Sequence, residues 1–324
     1  MTMRGRLSSG VMGCGSRGGC FVTAPLLFAW RRAGQKGLAL IAVLWMVAAL
    51  MVTATGVVYA VRGEVRTVAS FREMAAAGAL GDAAVVLAAR ELAGTRNREN
   101  RLQQLEVIFD ESAVGVQVVP LSGLVDLNSA AEPLLADLIA VAGDVDRALA
   151  ARLAQRIVDW RDADEQPQPD GAENAAYAAA GSPFRTRGGP FATPEDLLQV
   201  LGVDFDLYDR LRPLVTVHLS GNGRVDPAAA PAPVLRVLAA GNEEIAVAYA
   251  NAREASGALA DTTRFPASHI ARSSSSRYLV AASVPLSNGA FLVTRRILDV
   301  ASARDGLPWE TLWAERVVEA GPRG

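Results

Sequence analysis

The stretch Leu38–Val61, LALIAVLWMVAALMVTATGVVYAV, runs for 24 residues without a charged side chain. At 1.5 Å per residue such a helix is about 36 Å long, enough to cross the hydrocarbon core of a bilayer. A secretory signal peptide has an apolar region of only about 7–15 residues, nearer the start of the chain. A buried core helix is the weaker alternative, because the run passes directly into a polar amphipathic stretch. The flanks orient the span. Residues 1–37 hold six basic residues (Arg4, Arg6, Arg17, Arg31, Arg32, Lys36) and no acid, whereas Arg62, Glu64, Arg66, Arg72 and Glu73 follow with mixed sign. The positive-inside rule then predicts a cytoplasmic N-terminus and a body on the opposite side.

Beyond the span the pattern stays helical, with Val65, Val68, Met74, Val85, Ala88 and Leu92 at helical spacings until Gly94, so one helix from Leu38 to Ala93 is expected. Gly78 and Gly81 are places where it can bend. The segments 106–110 and 114–121 read as a β-hairpin. Residues 125–143, 144–165 and 190–218 then read as helical, with Thr193-Pro194-Glu195-Asp196 as a helix start. LVTVHL (214–219) reads as a strand, PAPVLRVLAAG and EEIAVAYANAREA as helices, and 277–300 as a hairpin turning at Asn288-Gly289. An echo at a spacing of 100 residues links Gly123, Val125, Asp126, Ala130, Pro133, Leu135 and Leu138 to Gly223, Val225, Asp226, Ala230, Pro233, Leu235 and Leu238. It describes one strand end, turn and helix start used twice.

The chain of 324 residues is 51% apolar and 20% charged, the composition of a core-forming protein of one or two domains. Its 32 basic residues meet 34 acidic ones, and past residue 37 the balance is 26 against 34, a net of −8. That excess of acid disfavours nucleic acid as a partner. Cys14 and Cys20 both precede the span, and His218 and His269 are the two histidines. Thiolate metal sites, disulfide frameworks and cysteine catalysis are thereby excluded downstream. There is no Gly-x-Ser-x-Gly elbow, phosphate loop or His-Glu-x-x-His run, so the sequence points away from an enzyme.

Two constellations remain. Leu197–Thr216 resembles a helix-hairpin-helix unit, but its turn, Gly202-Val203-Asp204-Phe205-Asp206, places two carboxylates where a DNA phosphate would sit. The loop DWRDADEQPQPDGAENAAY (159–177) offers Asp159, Asp162, Asp164, Glu165, Asp170, Glu173 and Asn174. Oxygen donors at that density suit calcium, which takes roughly six to eight ligands at about 2.3–2.6 Å, and they equally suit a solvated acidic loop.

The junction Gln35-Lys36-Gly37-Leu38, a glycine between a basic residue and an apolar helix, resembles the prepilin peptidase site of type IV pilins and pseudopilins. The run QKGLALIAVLWMVAALMVTATGVVYAVRGEVRTVA, together with DW-x-D-A-D and G-A-E further on, resembles the minor pseudopilin K family of the type II secretion system, also called general secretion pathway protein K. The resemblance implies processing after Gly37, with Leu38 as a methylated N-terminus. The fifth mature residue would be Ala42, where most pilins carry Glu and the K subunit does not. A carboxylate in the apolar interior costs about 2.5–3.5 kcal/mol and persists where it meets a partner, so a subunit without a neighbour above needs none.

The implied fold is α+β: a pseudopilin fold with a long N-terminal transmembrane helix packed on an antiparallel sheet, and a large inserted all-α domain in which the family binds calcium. The expected divisions are a basic leader (1–37), the span (38–61), a first core part (62–121), the insert (122–213), a second core part (214–300) and a tail (301–324). The implied role is a non-enzymatic one at the tip of a periplasmic pseudopilus, initiating its assembly and supporting export of folded proteins. The implied location is the bacterial inner membrane, crossed once. Partners would be minor pseudopilins I and J, prepilin peptidase, the inner-membrane assembly platform, and secreted substrate or the outer-membrane channel, with no nucleic acid among them. The competing reading is a single-pass envelope protein whose helical hairpin binds nucleic acid during uptake.

Overall fold

The computed structural model describes residues 36–94, 100–109, 112–219, 221–256, 260–303 and 306–321. The leader up to Gln35 lies outside them, and Gly37 and Leu38 enter only as helical backbone. Helix α1 is Lys36–Gly94. The chain forms two compact units, one up to Arg66 and one from Thr67.

In the first unit α1 is exposed at every described side chain, including Leu40, Trp45, Met46, Leu50 and Tyr59. A charge-free apolar surface of this extent is unfavourable in water and suits lipid. Among the described residues α1 is the one helix long and apolar enough to cross a membrane.

In the second unit α1 buries Ala77, Ala84, Val85, Ala88, Ala89 and Leu92, one stripe at helical spacing. The stripe packs on a five-stranded sheet ordered β1 (Gln103–Phe109), β2 (Ser112–Pro120), β5 (Arg277–Pro285), β6 (Phe291–Asp299) and β7 (Glu310–Glu319). Every pairing in it is antiparallel. The strands alternate as a half-buried sheet requires: Val114, Val116 and Val118 face the helix with Val280, Ala282 and Val284. Gly78 and Gly81 do not interrupt α1; they lie against Arg316 and Thr294 and let the helix approach the sheet. Asp82 of α1 accepts from Arg296 at 2.7 Å and Arg316 at 2.9 Å.

Three sequence expectations change here. The region 301–324 is not a tail, since β7 completes the sheet beside β6 with a bulge at Ile297/Leu298. In the β5–β6 loop only Gly289 takes a positive φ, of 80°, while Asn288 Oδ1 accepts from the Ala290 amide at 3.0 Å. The strand expected at 214–219 shrinks to β4 (Val215–Thr216), which pairs in parallel with β3 (Val125–Asp126).

Between β2 and β5 the described residues form, besides these short strands, loops and 3-10 turns, the helices α2 (Glu132–Ala142), α3 (Arg147–Arg161), α4 (Asn174–Ala179), α5 (Phe205–Leu211), α6 (Ala232–Leu238) and α7 (Glu243–Ser256). Thr193 does open a helical turn, but Pro194–Gln199 is a 3-10 helix. Leu134, Leu138, Leu153, Ile157, Leu197, Val234, Leu238 and Tyr249 share one core with Val119 and Ile297. Residues 214–276 therefore are not sheet core: α6 and α7 belong to the helical body, which extends well past residue 213.

The hundred-residue echo is a structural repeat. Val125 pairs in parallel with Val215 and Val225 bridges in parallel to Ile270, and a helix pair follows each (α2–α3, α6–α7). Arg161 donates to the carbonyls of Leu127 and Ala130, and Arg253 to those of Pro227, Ala228 and Ala230. Each repeat's glycine abuts the other repeat's turn, Gly123 against Ala229 and Gly223 against Ser129, leaving no room for a Cβ.

Candidate metal site in the acidic loop

Helix α3 starts at Asp146, whose side chain accepts from the amides of Ala148 at 2.9 Å and Leu149 at 3.4 Å. Its face of Ala150, Leu153, Ala154, Ile157 and Trp160 is buried, and Trp160 stacks on Phe191 with centroids 4.1 Å apart. That anchoring holds the C-terminal turn, and so Asp159 and Asp162, in a defined place.

Asp159 is fully buried. Both its oxygens accept from the Gln168 amide at 3.2 Å, and Oδ2 also accepts from Ala172 at 2.7 Å, so the proline-containing loop folds around this carboxylate. Gly171 sits against Asp159 Oδ2 where a Cβ would clash. The loop returns at Glu173, which precedes α4, and Glu173 too is buried. Neither Glu173 oxygen, nor Asp162 Oδ1, has a hydrogen-bond partner among the described residues.

Asp159, Asp162 and Glu173 each point one oxygen into a common space, all within 4.8 Å of one another. Burial pushes the Glu173 carboxyl up to about 7, with further help from the charges of Asp159, Asp162 and Glu165; Thr186 pulls the other way without a hydrogen bond to either oxygen. Burial raises Asp159 as well, against the amides of Gln168 and Ala172. Asp162 is raised by burial and by Asp164 and Asp159, and lowered by Arg161. A buried set of hard oxygens, mutually repelling and partly without donors, is what a divalent cation relieves.

The other four candidate ligands lie outside this cluster. Asp164 is exposed and accepts from the Gln166 amide at 2.8 Å. Glu165 accepts from the Asn174 side-chain amide at 2.6 Å, and Asn174 Oδ1 accepts from the Thr186 amide at 3.1 Å. Asp170 is exposed, its backbone amide donating to Gln155. The Arg187 and Gly188 amides donate to the Trp160 carbonyl at 3.1 and 3.2 Å and tie their segment to the end of α3, a contact the sequence does not single out. Only its Gly188-Gly189 pair hinted at a special backbone, and Gly188 does take φ +59°.

Two further features bear on other chemistry. In the helix-hairpin-helix-like turn, Asp204 accepts from the Leu207 amide at 2.8 Å, occupying the donor a phosphate would need. His269 bonds Asp137 at 3.1 Å through Nε2 and Ser268 at 3.0 Å through Nδ1. Asp137 lies on α2 and His269 follows α7, so this buried contact fastens the two helical repeats to each other.

Comparison with known proteins gives one family. Residues 121–220 match the family model of type II secretion system (T2SS) protein K. Over 72 residues the chain is 40% identical to the type II secretion system protein K of Pectobacterium carotovorum subsp. carotovorum, covering 22% of this chain and 21% of the relative. The matched part thus spans about a fifth of that relative. The fold matches a chain in the crystal structure of the GspK–GspI–GspJ complex from the enterotoxigenic Escherichia coli type 2 secretion system, with a TM-score of 0.51 at 18% identity, over 79% of this chain and 98% of that one. The likeness to protein K thus lies in residues 121–220, the first part of the helical insert, within a mixed architecture of long apolar helix, antiparallel sheet and helical insert.

Proposed function

We propose that this chain acts as a minor pseudopilin of type II secretion, seated at the tip of the pseudopilus with its α1 start in the inner membrane and its body in the periplasm. The observation that carries the reading is the combination of an uncharged helix running on into a sheet-packed helix with a segment between the sheet's strands, 121–220, that matches the protein K family model. The basic leader ending at Gly37 supports cleavage by the prepilin peptidase and a methylated Leu38. Ala42 supports the tip position, because no carboxylate there seeks a neighbour's amine above. From that place the protein would start pseudopilus assembly on the inner-membrane platform and support export of folded proteins, touching secreted substrate or the outer-membrane channel. The partners named for the solved relative, I and J, are the partners proposed here.

The acidic cluster is read as a calcium site with a structural role. Asp159, Asp162 and Glu173 would hold the ion, the rest of its shell coming from water or backbone oxygens, and its chemistry is charge neutralisation. Magnesium fits less well, being smaller and slow to give up water.

Co-expression with the I and J subunits of the same system tests the assembly reading. A complex of all three that survives purification is expected. Recovery of this chain alone, while I and J associate normally with each other, would overturn it.

A further inference from the structure

Arg161 ends α3, one residue before Asp162 and two after Asp159. Its guanidinium leaves the acidic cluster and reaches the turn after β3, donating to the Leu127 carbonyl and, at 2.7 Å, to the Ala130 carbonyl. Two carboxylates act on its charge, Asp126 at that turn and Asp162 in the cluster. Asp126 is buried and organises the turn, accepting from the Asn128 amide at 3.2 Å and the Ser129 hydroxyl at 2.5 Å. The same turn is where β3 pairs with β4 and the Leu127 amide donates to Thr216 at 2.9 Å, so it joins the two ends of the first helical repeat.

A second contact runs in parallel. Trp160 stacks on Phe191, whose amide donates to Asn128 Oδ1 at 2.6 Å, while Asn128 Nδ2 donates to the carbonyls of Phe191 at 3.1 Å and Val217 at 3.4 Å. The last turn of α3 therefore grips the root of the repeat while presenting Asp159 and Asp162 to the cluster.

Resting on the calcium reading above, we propose that a cation held by Asp159, Asp162 and Glu173 tightens the β3–β4 root of the helical insert through Arg161. With the cluster empty, the guanidinium donates to the carbonyls of Leu127 and Ala130 while the charge of Asp162, one residue on, competes with the Asp126 turn for it. A divalent ion neutralises Asp162 and repels the guanidinium, leaving its charge to Asp126 and the carbonyls of Leu127 and Ala130. The coupling is reciprocal, so loosening the root weakens calcium binding by the same factor. Arg161 is a positioning residue here, not a ligand.

Amide hydrogen exchange on the full chain in detergent micelles, with calcium chloride or with a chelator, tests this. At a hundredfold excess of calcium over Kd, exchange slows in 159–188 and also in 124–130 and 215–217, by up to about a hundredfold where opening requires loss of the ion. Arg161→Met, of similar length and uncharged, keeps the slowing in 159–188 and loses it at the root. Slowing confined to 159–188 in the wild type, or retained at the root in Arg161→Met, overturns the coupling and leaves the calcium reading standing. No change anywhere on adding calcium removes both. The wild-type comparison decides even if Arg161→Met does not fold.

Discussion

Replacing Glu173 by Gln should change stability in opposite directions with and without calcium. The wild-type carboxyl titrates at about 7 in the folded chain against an ordinary value of 4.5, because it is buried beside Asp159, Asp162 and Glu165. Between those values the folded chain holds a proton that the unfolded chain has released. Stability is therefore lost as pH rises from about 4.5 through 7. At 1.36 kcal/mol per pH unit the loss is about 3 kcal/mol at pH 8. Gln keeps the shape and never ionises, so in chelator at pH 8 the variant should be more stable by up to that amount, with the difference vanishing below pH 4. Calcium at a thousandfold excess over Kd adds about 4.1 kcal/mol to the wild type, and little to a variant lacking one of the three clustered carboxylates. The ranking then reverses. Urea denaturation of the full chain in micelles, followed by circular dichroism at pH 4 and 8 with chelator or calcium, measures all four cases. A Gln variant less stable than wild type in chelator at pH 8 would refute the picture of mutually repelling buried carboxylates.

Asp162→Ala should abolish a calcium-induced rise in melting temperature, whereas Asp164→Ala should leave most of it, since Asp164 is exposed outside the cluster; equal losses would contradict the assignment of ligands. Trp160→Ala removes a fully buried ring stacked on Phe191 and should cost about 3–5 kcal/mol in denaturant unfolding. Ala42→Glu should lower secretion or leave it unchanged in a complementation assay; a variant that enters the filament as an internal subunit would contradict the tip position.

Much of the architecture was legible because its signals are local. The charge-free run after Lys36, the alternation in 277–300 and the caps of the insert each state their own secondary structure. The wrong expectations share a cause: they concern which element packs on which. Glu310–Glu319 falls in the expected tail, yet its alternation of apolar and charged residues is that of an edge strand, and its place is settled by pairing with β6. Helices α6 and α7 fall in the expected second core part, 214–300, because nothing in their own sequence says that Val234 and Leu238 meet Leu134 and Leu138. In the acidic loop, composition gave seven candidates without ranking them. Burial ranks them, with Asp159 and Glu173 inside and Asp164 and Asp170 exposed, and spacing does not reveal that. Arg161 is not legible in the sequence for the same reason, since a guanidinium at a helix end reads as a solvated charge until its carbonyl partners, more than thirty residues back, are in place.

Processing for entry into a filament, on which the proposed pseudopilin role depends, is read by intact-mass and N-terminal peptide mass spectrometry of the protein recovered from membranes containing the prepilin peptidase. A chain beginning at Leu38 and carrying one N-terminal methyl group is expected, with Gly37→Phe left uncleaved. A chain that retains residues 1–37, or a Gly37→Phe variant processed as the wild type is, would contradict it.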